Sequence, residues 1–291
     1  MPLTLRATAS APWFKLVPSS FPVYPRLFQI GHFFLPTYGV LVATGLIVGL
    51  LVTVHLAQRQ GIDADTMWNM GLVAVLAGIV GSKLLYLFTA WQEHPGQPLN
   101  LFSMDTLQSG GVFSGGLLLS IGVCYWYAVR HHMPKLKTAD SFAPGIAIGH
   151  AIGRLGCFAA GCCFGKPTTL PWGVTFTNPL AQWAGTPMGI RLHPTQIYEF
   201  LAELLIFLVL LWIFRHRSFE GQISAAYLFL YGVARYFLEF LRGDPDRGSM
   251  FGGIMSTTQF IALLLVVGGG IMWVLCPRPT PARRTQLATT A

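Results

Sequence analysis

Apolar runs of spanning length alternate along this chain with short stretches of charge, proline and glycine, and a helix of about 20 residues crosses the hydrocarbon of a bilayer. Seven such segments can be placed, near 37–57, 68–91, 110–129, 139–163, 195–214, 221–241 and 252–276. Positive charge follows alternate segments: Arg59 after the first, Arg130, Lys135 and Lys137 after the third, Arg215 and Arg217 after the fifth, and Arg278, Arg283 and Arg284 after the seventh. In a seven-span topology these groups share one side, which the positive-inside rule makes cytoplasmic, with the N-terminus outside and the C-terminus inside. The opposite side receives 92–109, the long loop 164–194 and the turn 242–251. The long loop is rich in proline and glycine and carries Trp172 and Trp183, so it reads as a small extracytoplasmic head. Residues 1–36 are broken by Pro12, Pro18, Pro22, Pro25 and Pro36 and read as short interfacial segments anchored by Trp13, Phe14 and Lys15. Residues 277–291 read as a cytoplasmic tail. The pattern predicts an all-α membrane protein: seven transmembrane helices over 37–276, N-terminal interfacial segments and a small extracytoplasmic head.

Composition agrees with that class. Of 291 residues, 53% are hydrophobic and only 10% charged, with a mean hydropathy of +0.55, far from the roughly 25% charged residues of a soluble domain. A net charge of +8 would point to nucleic acid in a soluble protein. Here the basic residues sit mostly in short loops between spans, where they set topology, so no nucleic-acid partner is expected. The N-terminus lacks a basic start followed by an apolar core, and no cleavable signal peptide is expected. The five cysteines, Cys124, Cys157, Cys162, Cys163 and Cys276, do not form a secreted disulfide framework.

Charge inside the spans carries the chemistry. Lys83, Arg154, Glu199, Glu203, Arg235 and Glu239 fall within apolar segments, and an ionisable group at bilayer depth costs at least about 2.5–3.5 kcal/mol on insertion scales, so these groups should converge on a polar cavity. Tyr231, Arg235, Glu239 and Arg242 are spaced by four, four and three, which predicts one helical face. Arg154 lies in GRLGCFAAGCCFG, residues 153–165, where Gly149, Gly153 and Gly156 permit close approach. Two arginines beside such a helix suit a phosphate, because guanidinium presents forked donors and stays charged in a dry site. Buried ion pairs of Arg235 with Glu239, or Arg154 with Glu199, are the structural alternative. GGVFSGGL, with Ser114, and LHPTQIYE, with His193, Gln196, Tyr198 and Glu199, bring polar groups to helix starts that favour an anion. The CxxxxCC run at Cys157, Cys162 and Cys163 lacks paired zinc spacing, so small apolar packing is the first reading, with redox chemistry or direct catalysis behind it. No metal and no cofactor are expected.

Together, GRLG at 153–156 with Gly161 and Gly165, HPTQIYE at 193–199 and YGVARYFLEFLR at 231–242 resemble three signature blocks of the prolipoprotein diacylglyceryl transferase family, over a stretch from about Tyr38 to the last span. The resemblance implies a multi-pass enzyme of the bacterial inner membrane with its site toward the periplasm. It would move a diacylglyceryl group from phosphatidylglycerol to the lipobox cysteine thiol of a prolipoprotein signal peptide, forming a thioether and releasing glycerol phosphate. By position, Arg154 and Arg235 match the family's essential arginines, and Tyr38, Tyr231, Glu239 and Arg242 match functional or site-lining positions. Lys83 stands where the family usually has arginine, Ser114 where it has a histidine sometimes proposed as base, and Cys157 and Cys162 at its asparagine and glutamate. The proton acceptor is therefore left between His193 and Glu239, or the thiol loses its proton to water or to the arginine field. Ser114, Cys157, Cys162 and Tyr198 join Tyr38, Lys83, Tyr231 and Arg242 as expected substrate contacts. A lipid-dependent transferase with another acceptor, and a non-catalytic phospholipid-binding or transport protein, are the competing readings.

Overall fold

The structure, a computed structural model, describes residues 20–21, 25–30, 33–93, 111–244 and 248–276. The expected anchors Trp13, Phe14 and Lys15, most of the 92–109 segment and the 277–291 tail lie outside them. Among the described residues the long helices are α1 (Thr37–Gln58), α2 (Ala64–Glu93), α3 (Phe113–Arg130), α4 (Lys135–Ala160), α5 (Thr195–Arg215), α6 (Gln222–Glu239) and α7 (Thr257–Leu275). Five of them, α1, α2, α4, α5 and α7, are long and apolar enough to cross a membrane. Their outward faces carry large apolar side chains such as Ile47, Leu76, Ile79, Leu205, Val267 and Val274, each more than half exposed, as a surface turned to lipid requires.

Several boundaries differ from the hydropathy reading, each for a physical reason. Helix α4 begins four residues early, at Lys135, because charged residues extend a helix beyond its apolar stretch, and it runs through Pro144. It stops at Ala160, so Cys162 and Cys163 lie beyond it. Helix α6 stops at Glu239, which removes Arg242 from the helical face expected for Tyr231, Arg235 and Glu239.

The all-α expectation is also corrected. Strand β1 (Ser20–Phe21) pairs parallel with β4 (Val174–Phe176), which pairs antiparallel with β5 (Arg191–Leu192). Strands β2 (Arg26–Ile30) and β3 (Phe33–Pro36) form a hairpin, and β6 (Ser249–Met250) pairs with β7 (Met255–Ser256). Short strands satisfy the backbone of segments too rich in proline, or at 248–253 in glycine, to be helical.

The chain divides into two compact units. One comprises Met1–Val48, Ile146–Trp212 and Ala225–Val274. The 164–194 segment belongs to it and has its own core of Phe164, Val174, Phe176, Ala181 and Leu192, with Phe158 and Met188 packed against it. Helices α1 and α4 approach closely there: a Cβ on Gly45 would lie 2.6 Å from the Gly149 carbonyl oxygen. A Cβ on Gly156 would meet Tyr38 and Leu41 of α1, whereas one on Gly153, also expected at a close crossing, would meet no atom of another element within 4 Å among the described residues.

The other unit comprises Gly49–Gly145, Ile213–Ser224 and Leu275–Ala291. Helices α2 and α3 cross on glycines, a Cβ on Gly81 lying 2.5 Å from the Gly115 oxygen, the small-residue packing of membrane helices. Fully buried Asp140 accepts hydrogen bonds from the Gly221 and Ser224 amides at 2.7 and 2.9 Å and from the Ser224 hydroxyl at 2.9 Å, capping the start of α6. Exposed Asp63 caps α2 through the Thr66 amide and hydroxyl, at 2.8 and 2.7 Å. The Thr66 side-chain and backbone hydrogen bonds hold its carboxyl below the usual range, so the cap's contribution is present above the ordinary aspartate pKa and is lost as pH falls through the lowered one. Asp63→Ala is expected to lower the thermal midpoint in detergent at neutral pH, and the gap to the parent is expected to close in acid, read by melting curves at both pH values.

Candidate active site

Three arginines meet on one carboxylate. Glu199, in the first turns of α5 and 3% exposed, receives hydrogen bonds on Oε1 from Arg235 at 3.4 Å and Arg242 at 2.9 Å. Its Oε2 lies 2.5 Å from Nε of Arg154. Arg235 also donates to Glu239 at 2.8 Å, and the second Glu239 oxygen accepts from the Ser256 hydroxyl at 2.9 Å. Arg242 grips Asp244 through Nε and Nη2, at 2.8 and 2.9 Å, the forked geometry that suits guanidinium and carboxylate. The expected ion pairs between Arg235 and Glu239 and between Arg154 and Glu199 are both present.

Arg154 is the member left open. Its single Nε hydrogen is donated to Nε2 of His150, one turn earlier on α4, at 3.1 Å, so the contact with Oε2 of Glu199 is ionic, without a hydrogen bond among the described residues. Nδ1 of His150 lies 2.8 Å from Oε1 of Glu203. That chain fixes the histidine as the Nδ1–H tautomer, accepting from Arg154 and donating to Glu203. No described residue takes a hydrogen bond from the two terminal nitrogens of Arg154, and its side chain keeps 15% of its surface exposed. Nε thus anchors the group and the terminal fork is available to an anion. The Tyr231 ring packs edge-on to His150 at 5.7 Å and stacks on Tyr227, walling this side with aromatic surface.

Beyond α4 the chain doubles back through two left-handed residues, Gly161 (φ 83°) and Cys163 (φ 61°). For a cysteine that conformation is strained, and surrounding bonds hold it. Thr186 donates to the Gly161 carbonyl at 2.6 Å, Gln196 to that of Cys162 at 2.7 Å and Thr195 to that of Cys163 at 2.8 Å. The Gly165 amide donates to the His193 carbonyl, and Gly165 bridges to Arg242. This turn brings 162–165 against the start of α5 and the end of α6, which explains how Arg242 reaches Glu199 from outside the helix. The sulfurs of Cys157, Cys162 and Cys163 then lie within 4.8 Å of one another.

Other expected site residues fall at several distances from this centre. Tyr38 packs on Gly156 and lies within electrostatic range of Arg154 and the three cysteines. Nδ1 of His193 is 3.3 Å from the Tyr198 hydroxyl, which accepts from the Trp172 indole at 2.7 Å. Lys83, with its ammonium 5.9 Å from the Tyr86 ring centre, and Ser114, at the start of α3, belong to the other unit. His150 was no candidate from sequence and Glu203 only an intramembrane charge. Their i, i+4 relation to Arg154 and Glu199, on α4 and α5, was the signal that could have found them.

Residues 25–275 match the family model described as prolipoprotein diacylglyceryl transferase. A phosphatidylglycerol–prolipoprotein diacylglyceryl transferase of Clostridium tetani is 37% identical over 246 residues, covering 84% of this chain and 94% of the relative. One of Verminephrobacter eiseniae is 36% identical over 278 residues, 90% of this chain and 96% of the relative, and one of Finegoldia magna is 34% identical over 239 residues, 81% and 89%. The match over most of the chain settles the family: this chain belongs to the prolipoprotein diacylglyceryl transferase family.

Proposed function

We propose that this protein transfers the diacylglyceryl group of phosphatidylglycerol to the lipobox cysteine of a prolipoprotein, the donor and acceptor class being those in its relatives' names. The observation that carries the reading is the half-engaged guanidinium of Arg154. Its Nε is fixed by His150 and Glu199 while its terminal fork is available to a phosphate, and fixed donors aimed at a leaving phosphate are the arrangement that stabilises departing negative charge. Sequence alone expected Arg154 and Arg235 to share that task. Arg235 instead has donors committed to Glu199 and Glu239, so its role in this proposal is to hold Glu199 in place.

In the reaction the cysteine sulfur forms a bond to the terminal glyceryl carbon, the carbon–oxygen bond to phosphate breaks, and glycerol phosphate leaves with the electron pair. Of the two groups expected to take the thiol proton, Glu239 has both oxygens engaged, which leaves His193. Tyr38 and Tyr231 line the lipid path, Tyr198 orients His193, and Lys83 and Ser114 are assigned to lipid contact on the family resemblance alone. The membrane arrangement in this reading has α1 to α7 as seven spans of the bacterial inner membrane. The N-terminus is outside and the C-terminus cytoplasmic, the 164–194 head is extracytoplasmic and the site faces the periplasm. The alternation of basic loops supports it.

Purified protein incubated with phosphatidylglycerol and a lipobox peptide tests the proposal by mass spectrometry. Thioether product with glycerol phosphate is expected; lipid breakdown without it would favour another acceptor, and lipid binding alone a non-catalytic protein. His193→Ala is expected to slow turnover by about 10²–10³-fold near neutral pH and to recover partly at alkaline pH, where the thiol ionises unaided. A pH profile parallel to the parent's would exclude His193 as the acceptor.

A further inference from the structure

The three thiols at the left-handed turn have no part in the reaction described above, yet the fold gathers them. All five cysteines are free, and those of 157, 162 and 163 place their sulfurs within 4.8 Å of one another. Three thiolates around a tetrahedral zinc ion, with bonds near 2.3 Å, stand about 3.8 Å apart, so a shift of roughly an ångström or less per sulfur would complete such a set. The geometry rests on backbone: Cys163 is held at φ 61° by bonds that fix the 161–165 turn from two sides. Apolar packing, the reading from sequence, gives no reason to hold a cysteine in that conformation when a glycine or asparagine would fit without strain.

We propose that Cys157, Cys162 and Cys163 bind one zinc ion, whose fourth position takes the thiol of the incoming lipobox cysteine. The second half of this statement rests on the transferase reading; the first does not. Three protein ligands with one open position is the coordination of a catalytic rather than a structural zinc, and a thiol that coordinates zinc is deprotonated outright. The departures at residues 157 and 162 and the replacement of the expected base by Ser114 would then belong together, the metal activating the nucleophile where a histidine is missing. A zinc ion with three thiolates carries one net negative charge, and Arg154 and Arg242, both in electrostatic contact with Cys163, offset it. The step balances without redox change. The substrate thiol binds zinc as thiolate and its proton passes to His193; the sulfur pair then forms the carbon–sulfur bond as glycerol phosphate departs, and the neutral thioether, a weak ligand, leaves zinc unchanged.

The test uses the full chain in detergent without added phosphatidylglycerol, so that the peptide cannot react, stripped of metal under reducing conditions and titrated with cobalt(II) alone. One equivalent is expected to raise the near-ultraviolet sulfur-to-cobalt bands and the strong visible bands of a tetrahedral thiolate site. Cys162→Ser and Cys163→Ser are each expected to remove them, while a Cys124→Ser, Cys276→Ser double variant keeps them. Absence of the bands in the parent, or their survival in the Cys162 and Cys163 variants, would overturn the site. A lipobox peptide should strengthen the charge-transfer bands by about a third, as a fourth sulfur joins three, and the same peptide with serine for cysteine should not; no difference between the two peptides would overturn the open position. Thioether formation at the parent rate by metal-free protein, once phosphatidylglycerol is added, would overturn the activating role. If the cobalt site and its peptide response are present but no thioether forms, the metal site stands and the transferase reading fails instead.

Discussion

Arg154→Lys is expected to keep its place in the membrane at close to the parent's abundance and to lose about 10²–10³-fold in lipidation rate, the scale for removing a fixed donor from a developing negative charge. In the parent, Nε is held by His150 and Glu199 and the two terminal nitrogens make no hydrogen bond to a described residue, which in the proposed reaction leaves them for phosphate. Lysine carries the same charge on one nitrogen, which can serve the protein or the phosphate but not both in the planar geometry of a fork. Turnover with phosphatidylglycerol and a lipobox peptide, compared at equal protein in membranes, reads the effect. A rate close to the parent's would remove the fork from the reaction and leave Arg154 as a mere ion-pair partner.

Glu199→Ala should fail earlier, at folding. Its side chain is 4% exposed and is shared by Arg154, Arg235 and Arg242, and removing one partner of a buried ionic group costs about 3–5 kcal/mol because the remaining charges are left uncompensated. Against a total stability of about 5–15 kcal/mol that loss is large, and little folded protein is expected in detergent extracts by size-exclusion chromatography. Glu199→Gln keeps an acceptor of the same shape and should be recovered in larger amount. Glu203→Gln should be milder still, since Glu203 contacts His150 at 2.8 Å and its other oxygen has no hydrogen-bond partner among the described residues. Equal recovery of the Glu199→Ala variant and the parent would show that the arginines do not depend on their shared carboxylate.

The long helices were legible because hydropathy reports which segments leave water, and α1 and α5 start or end within a residue or so of the apolar runs that announced them, although of the seven expected spans only α1, α2, α4, α5 and α7 are long and apolar enough to cross a membrane. The pairing of Arg154, Glu199, Arg235 and Glu239 was legible for a related reason, since charge within an apolar segment is costly unless paired, whereas Lys83, expected to join them, belongs to the other unit. Four features lay beyond that logic. The end of α6 could not be read, because Leu241 is as apolar as the helix before it and only the bridge between Gly165 and Arg242 shows where the chain departs. The hub role of Glu199 could not be read because a carboxylate in a span predicts a partner but not three. The sulfur cluster was hidden because spacing along the chain predicts proximity only within regular structure, and Cys162 and Cys163 follow a reversal of direction. The small strands were missed because a two-residue pairing leaves no periodicity to detect.

The reversal at 161–165 also bears on how the site can drift. Cys157 sits on a helix and residue 162 is an ordinary link in the turn, so either can become another amino acid with the path of the chain unaltered. Position 163 is different, since its left-handed backbone admits glycine, asparagine or aspartate far more readily than a branched residue. The path of the chain therefore constrains only the third corner of the sulfur triangle, and at the first two it is the chemistry of sulfur alone that can hold a cysteine in place.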